Sequence, residues 1–342
     1  MDQDRRSFLT NARNALGLAM ASGSMGLWEA QSQTAAGLID VHHHFGPPTW
    51  SAAMKGNPLL QPANAAWTAK KSLEDMDRGG AAAAVLSITN PGIYVGDKAQ
   101  ANRLARECND FGAKVVQAHP TRFGLFAALP LPDVDVSLKE IAYAYDQIHA
   151  DGIALMTSYD DTWLGNAVYR PVMEELNRRN AVVMVHPTAA NCCRDLNYGP
   201  RPGSIEYGTD TTRAITGICF SGDAARFPNI RWIWSHGGGT MPFLAGRVAG
   251  AASNLKQQMP SGLIAELKKF YYDLAGAANA GVVASLRQLV GPDKILFGTD
   301  FPPGGRILET KQTIRSLNMF SEAEIKLVER ENAVRLLPRL KG

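Results

Sequence analysis

A single-domain α/β fold, the (β/α)8 TIM barrel, is predicted by three features of the chain from Gly37 onward. These are eight short apolar runs, the longer amphipathic stretches between them, and the histidines and aspartate that close several runs. The runs are Leu38–His42, Ala82–Ile88, Gly124–Leu129, Gly152–Thr157, Val182–His186, Arg231–Ser235, Phe270–Leu274 and Lys294–Gly298. Val182-Val183-Met184-Val185 is uninterrupted, as a strand buried on both faces would be. Helical spacing appears in Val136–Ala150 (Ile141, Tyr145, Ile148), in Tyr169–Arg179 (Val172, Leu176) and around Val283, Leu286, Leu289 and Val290. Asp151-Gly152 and Gly291-Pro292 supply helix stops. Strands alternating with helices imply parallel pairing with right-handed crossovers. An open doubly wound sheet would want a G-x-G-x-x-G turn after an early strand; Gly237-Gly238-Gly239 follows the sixth run and lacks that spacing. The stretch from Asn191 to Gly208 reads as a long loop roofing the C-terminal mouth.

The composition fits that reading and excludes several others. With 342 residues, 45% apolar and 20% charged, the chain has ample material for a core. A net charge of +3 does not describe a polyanion-binding surface. No run approaches the ~18 to 20 apolar residues of a membrane span. Four cysteines without a C-x-x-C make neither a disulfide scaffold nor a thiolate zinc site. Residues 1–36 stand apart. Asp4-Arg5-Arg6-Ser7-Phe8-Leu9-Thr10 leads into the weakly apolar Ala15–Gly26, the build of a twin-arginine export signal, with a frayed amphipathic helix as the alternative. The expected location is therefore periplasmic or exported, and cytoplasmic on the alternative. The barrel is assigned to 37–342.

Chemistry in this fold sits where strands end at the C-terminal mouth. The first run ends Asp40-Val41-His42-His43-His44, the fifth in His186, the sixth is followed by His236, and the eighth by Thr299-Asp300. Residues two apart on a strand face one way, so His42 and His44 form a two-nitrogen grip and His43 points away, into packing. His186 adds a third nitrogen and Asp300 an oxygen, a donor set for Zn2+ or another first-row divalent ion. Taken singly, His186 also reads as a core histidine bonded to a carbonyl, and Asp300 as a helix cap. His236 reads either as a fifth ligand or as a proton-exchanging group beside the ion. His119, before the third strand, and His149, placed late in a helix, read as structural or surface residues.

Several stretches together resemble the amidohydrolase superfamily, and within it the metal-dependent decarboxylases. They are Ile39–Pro48 (IDVHHHFGPP), Val185–Thr188 (VHPT), Asp210–Ala214 (DTTRA), Phe227–Arg247 (FPNIRWIWSHGGGTMPFLAGR) and Ile295–Pro302 (ILFGTDFP). By pattern the chain is most similar to 6-methylsalicylate decarboxylase-like and aminocarboxymuconate semialdehyde decarboxylase-like proteins. The resemblance implies metal binding by His42, His44, His186 and Asp300, with Zn2+ as the first expectation and Mn2+ as the second. It implies an acid/base role for His236, and for Arg247 a reach to the substrate carboxylate of a neighbouring subunit in a homodimer. Two-metal members commonly bridge their ions with a fourth-strand lysine; Gly152–Thr157 has none, so one ion is expected. After the seventh run the chain reads Tyr272-Asp273-Leu274-Ala275, where salicylate-type relatives more often have Asp-Thr-Ala. The implied reaction is non-oxidative decarboxylation of a salicylate-type or unsaturated carboxylic acid, with Asp300 and His236 as the proton-handling pair. The alternative is hydrolysis of a lactone or amide by the same residues. A non-enzymatic metal-binding barrel would lack the acid/base that His236 supplies.

Overall fold

The structure, a computed structural model, describes residues 37–193 and 202–342. Residues 1–36, expected above to be an export signal, part of the expected roofing loop and the side chain of Cys192 lie outside the described residues. Each expected run forms a strand: β1 (Leu38–His44), β2 (Ala81–Ser87), β3 (Phe123–Ala128), β4 (Gly152–Met156), β5 (Val182–His186), β6 (Arg231–Trp234), β7 (Tyr271–Asp273) and β8 (Ile295–Leu296). All pair in parallel with the next in sequence. The ring is closed by bonds between the first strand and the end of the last. Val41 N donates to Phe297 O (3.1 Å), Asp300 N to His42 O (2.9 Å) and His44 N to Phe301 O (2.8 Å).

One main helix follows each strand: α1 (Ala69–Gly79), α2 (Lys98–Ala118), α3 (Val134–Asp146), α4 (Arg170–Arg178), α5 (Glu206–Phe220), α6 (Met241–Ala251), α7 (Ala280–Leu289) and α8 (Ile307–Ser316). Thr68, Asp97, Asp133 and Asn279 cap α1, α2, α3 and α7 by accepting first-turn N–H groups. Two boundaries differ from expectation. Helix α3 stops at Asp146, so His149 lies in the connection, at φ +51°, a left-handed value that no α-helix continues through. Helix α5 begins at Glu206, inside the stretch read as loop. A small hairpin, Ser158–Tyr159 with Thr162–Trp163, follows β4 and turns through Asp160 and Asp161, both at positive φ. An Asp-Asp turn carries no glycine signal, and the sequence does not announce it.

The barrel interior is filled by Ile39, Val41, Ala83, Val85, Phe126, Ala154, Val182, Met184, Ile233 and Leu296, continuous with Leu336, Leu337 and Leu340 of the C-terminal segment. A second, larger apolar layer lies between strands and helices. β1 carries an irregularity that matters for the site. Asp40 pairs with Ala84 and His43 with Leu86, three steps on β1 against two on β2. This bulge reverses the alternation. Ile39 and Val41 face inward below it, and His42 and His44 face inward above it.

A candidate metal centre at the barrel mouth

The mouth is ringed by the last inward residue of each strand. Ser87, Ala128 and Met156 come from β2, β3 and β4; His186 and Asp273 end β5 and β7, and His236 and Asp300 follow β6 and β8. His42 and His44 complete the ring. His42 Nε2 lies 3.0 Å from His44 Nε2, and His44 Nε2 lies 2.9 Å from Asp300 Oδ1. Asp300 Oδ1 is 3.5 Å from His42 Nε2 and 3.8 Å from His186 Nε2. One donor atom each from His42, His186, His236 and Asp300 lies within 4.8 Å of all the others. The structure therefore brings all five expected side chains together. It places His44 against His42 and Asp300, and His236 within reach of the same ion, so both readings of His236 keep their geometry.

Every imidazole is oriented from behind. His186 Nδ1 lies 2.8 Å from Pro187 O, His236 Nδ1 2.8 Å from Ala275 O, and His44 Nδ1 3.1 Å from Ser87 Oγ and 3.2 Å from Ser87 O. A carbonyl only accepts, so these Nδ1 atoms carry hydrogen and each neutral ring presents its Nε2 lone pair to the centre. His42 Nδ1 meets Asp273 Oδ2 at 2.9 Å, and Asp273 Oδ1 accepts from the backbone N–H of His236 (3.1 Å) and Ala275 (3.0 Å). Such outer partners fix ligand orientation and basicity in metal sites. Asp273 and Ser87 were not picked out by sequence reasoning. The signal for Asp273 was present: it is a polar residue closing an apolar run, as His186 is.

Charges are distributed accordingly. Burial by itself would lower the His42 pKa, but Asp273 and Asp300 outweigh it and raise it to about 10. Burial and the neighbouring charge of His42 hold His44 and His186 down at about 4, despite Asp300. Burial and His42 also lower His236. Burial opposes ionisation of Asp300, yet its close contacts with the His186, His42 and His44 rings keep it well below the usual carboxylate range. Asp273 is likewise held low by His42 against its burial.

The residues fit a divalent cation. His186 Nε2 and His236 Nε2 are buried and have no hydrogen-bond partner among the described residues, although unpaired buried polar atoms are costly. Imidazole nitrogens converging with one ionised carboxylate form a set that a first-row ion satisfies. Close backbone approach helps shape it: a Cβ on Gly304 would come within 2.4 Å of Asp300 Oδ2, and one on Gly238 within 2.7 Å of the Tyr272 ring.

The other expected residues also find their places. His43 faces the helix layer, with Nδ1 3.0 Å from Asp40 Oδ2, Nε2 2.9 Å from Ser72 Oγ, and its ring stacked 4.3 Å from Phe301. Arg247 is exposed on α6 and makes no hydrogen bond or ion pair among the described residues. Beside the centre opens a cavity of about 230 Å³, lined among others by Tyr94, Met156, Tyr159, Asp160, Thr188 and Asn191. Met156 is the strand neighbour of His186, and Thr188 follows His186 by two residues. Asp210, from the DTTRA stretch, pins this wall: it accepts from Thr157 Oγ1, from Trp163 Nε1 (2.6 Å) and from Thr188 N (3.3 Å). Burial raises its pKa.

The chain shares this architecture with known proteins. It is 37% identical over 329 residues to the decarboxylase yanB of Aspergillus niger, covering 88% of this chain and 87% of that one. It is 34% identical over 327 residues to the 6-methylsalicylic acid decarboxylase acuB of Aspergillus aculeatus, covering 89% and 96%. A dihydroxybenzoic acid decarboxylase from Polaromonas sp. JS666, solved with bound manganese and 2-nitroresorcinol, superposes with a TM-score of 0.76 at 22% identity over 88% of this chain and 97% of that one. The sequence profile of the amidohydrolase family matches residues 39–339, nearly the whole barrel. With that match, and with relatives above 30% identity along most of its length, the chain belongs to the amidohydrolase family.

Proposed function

We propose that this protein is a metal-dependent carboxy-lyase that removes CO2 from a 2-hydroxy aromatic acid without an oxidant. The observation that carries the reading is the convergence of His42, His44, His186, His236 and Asp300 beside a cavity at the barrel mouth. Both sequence relatives described above are named as decarboxylases, which favours C–C cleavage over lactone or amide hydrolysis. His42, His44, His186 and Asp300 would hold one divalent ion. We assign Zn2+ before Mn2+ because imidazole nitrogens dominate the donor set. When bound, the ion supplies Lewis-acid polarisation of the substrate's carboxylate and neighbouring oxygen.

The protein's own groups handle the proton. Asp300 is ionised, so it reaches the substrate as an acceptor. The hydroxyl next to the carboxylate can give its proton to Asp300, which returns it to the ring carbon bearing the carboxylate. That carbon becomes tetrahedral, the C–C bond breaks, CO2 leaves, and the bonding electrons return to the ring as a phenolate. His236, neutral with Nε2 facing the centre, exchanges a proton with water or substrate there. Metal-loaded protein given 2-hydroxybenzoates should release CO2 and phenol in equal amounts. Acid release from a lactone panel with no CO2 from any benzoate would overturn the assignment in favour of hydrolysis.

Two extensions belong to the same reading. We assign Arg247 to the substrate carboxylate of a partner subunit in a homodimer; its exposure beside the exposed Phe243 on α6 supports this. A monomer in sedimentation, or an Arg247→Ala enzyme with unchanged KM, would remove it. We assign residues 1–36 to twin-arginine export, and retention of an Arg5→Lys/Arg6→Lys double variant in the cytoplasm is the expected result.

A further inference from the structure

We infer that the hydroxyl of Tyr207 donates a hydrogen bond to the carboxylate of the bound acid, at the open side of the centre. This rests on the decarboxylase reading and adds a substrate-binding residue to it. Tyr207 lies in the first turn of α5, and its ring meets the ring of His186 edge-on, with centroids 6.3 Å apart and planes at 68°. The contact is held from both sides. Asp210, three residues further along α5, accepts from Thr157, from Trp163 and from the backbone N–H of Thr188, two residues beyond His186. Gly208 O accepts from Thr212 Oγ1 (2.8 Å) and from Thr240 N (3.3 Å). Gly203 packs on the phenol ring so closely that a Cβ there would stand 3.0 Å from Cε2.

Three observations give this phenol its role. First, its hydroxyl makes no hydrogen bond among the described residues, although a tyrosine this enclosed normally has a partner. Second, it stands at the way in. His42, His44 and His186 are buried, whereas His236 and Asp300 stay partly open, the Asp300 side chain being 21% exposed. Tyr207 is close enough to that opening for the charge of Asp300 to join burial in raising its pKa. Third, the opening lacks a cation from this chain. Asp300 is ionised, and its ion-pair partners among the described residues are all histidines. A carboxylate arriving beside Asp300 meets a like charge, and the lone pairs it does not give to the ion need a donor. A phenol keeps its proton at neutral pH and supplies one without adding negative charge.

The bond is made to a group that leaves as uncharged CO2, so it holds the bound acid at least as firmly as the transition state. Tyr207→Phe should therefore raise KM for 2-hydroxybenzoate about 10- to 100-fold, the usual worth of a hydrogen bond to a charged group, without lowering kcat. Calorimetry on the metal-loaded protein reads the same bond without turnover, because benzoate carries the carboxylate and phenol does not. At equal metal content, the ratio of benzoate to phenol affinity should fall about tenfold or more in Tyr207→Phe and, separately, in Tyr207→Leu. Two variants guard against one failing to fold. An unchanged ratio in both, or a fall in kcat at unchanged KM, overturns the inference and leaves the decarboxylase reading standing. Equal losses for benzoate and phenol also overturn it, since Tyr207 would then only shape the opening. If no acid releases CO2, the decarboxylase reading falls, and the calorimetric ratio still decides Tyr207.

Discussion

The carboxylate of Asp273 accepts from His42 Nδ1 at 2.9 Å, and both groups are fully buried. The contact spans 231 positions of sequence and joins the end of β7 to the first strand. The other oxygen of Asp273 holds the backbone of His236 and Ala275, and Ala275 O in turn faces His236 Nδ1. One carboxylate thus sets the direction of an imidazole on β1 and the placement of another after β6. Gly298 leaves room for the pair: a Cβ there would come within 2.8 Å of His42 Cβ and 3.2 Å of Asp273 Cβ.

Asp273→Asn should therefore weaken metal binding by roughly 10- to 100-fold while the barrel stays folded, the usual cost of losing an outer partner of a ligating histidine. The amide keeps the shape but removes the charge that polarises His42. Chelator competition on the purified variant, alongside circular dichroism, makes the comparison. Affinity within twofold of the parent would mean that Asp273 only fills space.

Metal affinity should rise with pH. In the protein alone the His42 pKa stands at about 10, so at neutral pH this ring holds a proton that an ion must displace. His44 and His186, held at about 4, are already neutral and release none. Between pH 6 and 8 the slope should accordingly be close to tenfold per unit, one proton per ion, flattening only as pH passes about 10. Below about 4, where His44 and His186 also take protons, it should steepen towards three. Titration calorimetry in buffers of different ionisation enthalpy counts the protons released. A count of zero at pH 7 would show that Asp273 and Asp300 do not hold His42 charged.

The buried triplet behind the centre carries stability instead. His43 bridges Asp40 and Ser72, and Asp40 also accepts from His42 N, Thr299 N and Thr299 Oγ1. His43→Phe keeps a ring to stack on Phe301 but leaves Asp40 Oδ2 one donor short. A loss of about 1 to 3 kcal/mol in urea unfolding is expected, from leaving part of a buried polar network unpaired. No measurable loss would mean that this side-chain network adds nothing to the stacking and to the backbone bonds that join β1 to the end of β8.

How much of this was legible in the sequence follows from the physics of each element. Strands buried on both faces write themselves as apolar runs, so all eight were found, and a polar residue closing such a run is conspicuous, as His186 is. Alternation also separated His42 and His44 from His43. It could not report the bulge between Asp40 and His43, which turns His42 inward although Val41 before it also faces inward. Nor could it report contacts between distant elements, such as Asp273 with His42 or Asp210 with Thr157 and Trp163, because these depend on packing rather than periodicity. The end of α3 was missed because Asp151-Gly152 is a strong stop signal, whereas the left-handed turn at His149 uses a residue type that gives none.

The proton-handling roles divide between Asp300 and His236 in a way that substitution can separate. Asp300 touches the Nε2 atoms of His42 and His44 and is backed by Gly304, so Asp300→Asn alters both the donor set and the acceptor that must carry a proton to the ring. CO2 release should fall by at least about 1,000-fold, with metal content reduced. His236→Ala removes a ring whose Nδ1 is held by Ala275 O, leaving His42, His44, His186 and Asp300 to hold the ion. Here activity should fall by about 100- to 10,000-fold, the range for loss of a general acid or base, with metal content near one per chain. The two variants are compared by elemental analysis and by CO2 release from the same acid. A His236→Ala protein that loses its metal as fully as Asp300→Asn would instead make His236 a fifth ligand. Parent-like turnover in either variant would remove that residue from the chemistry.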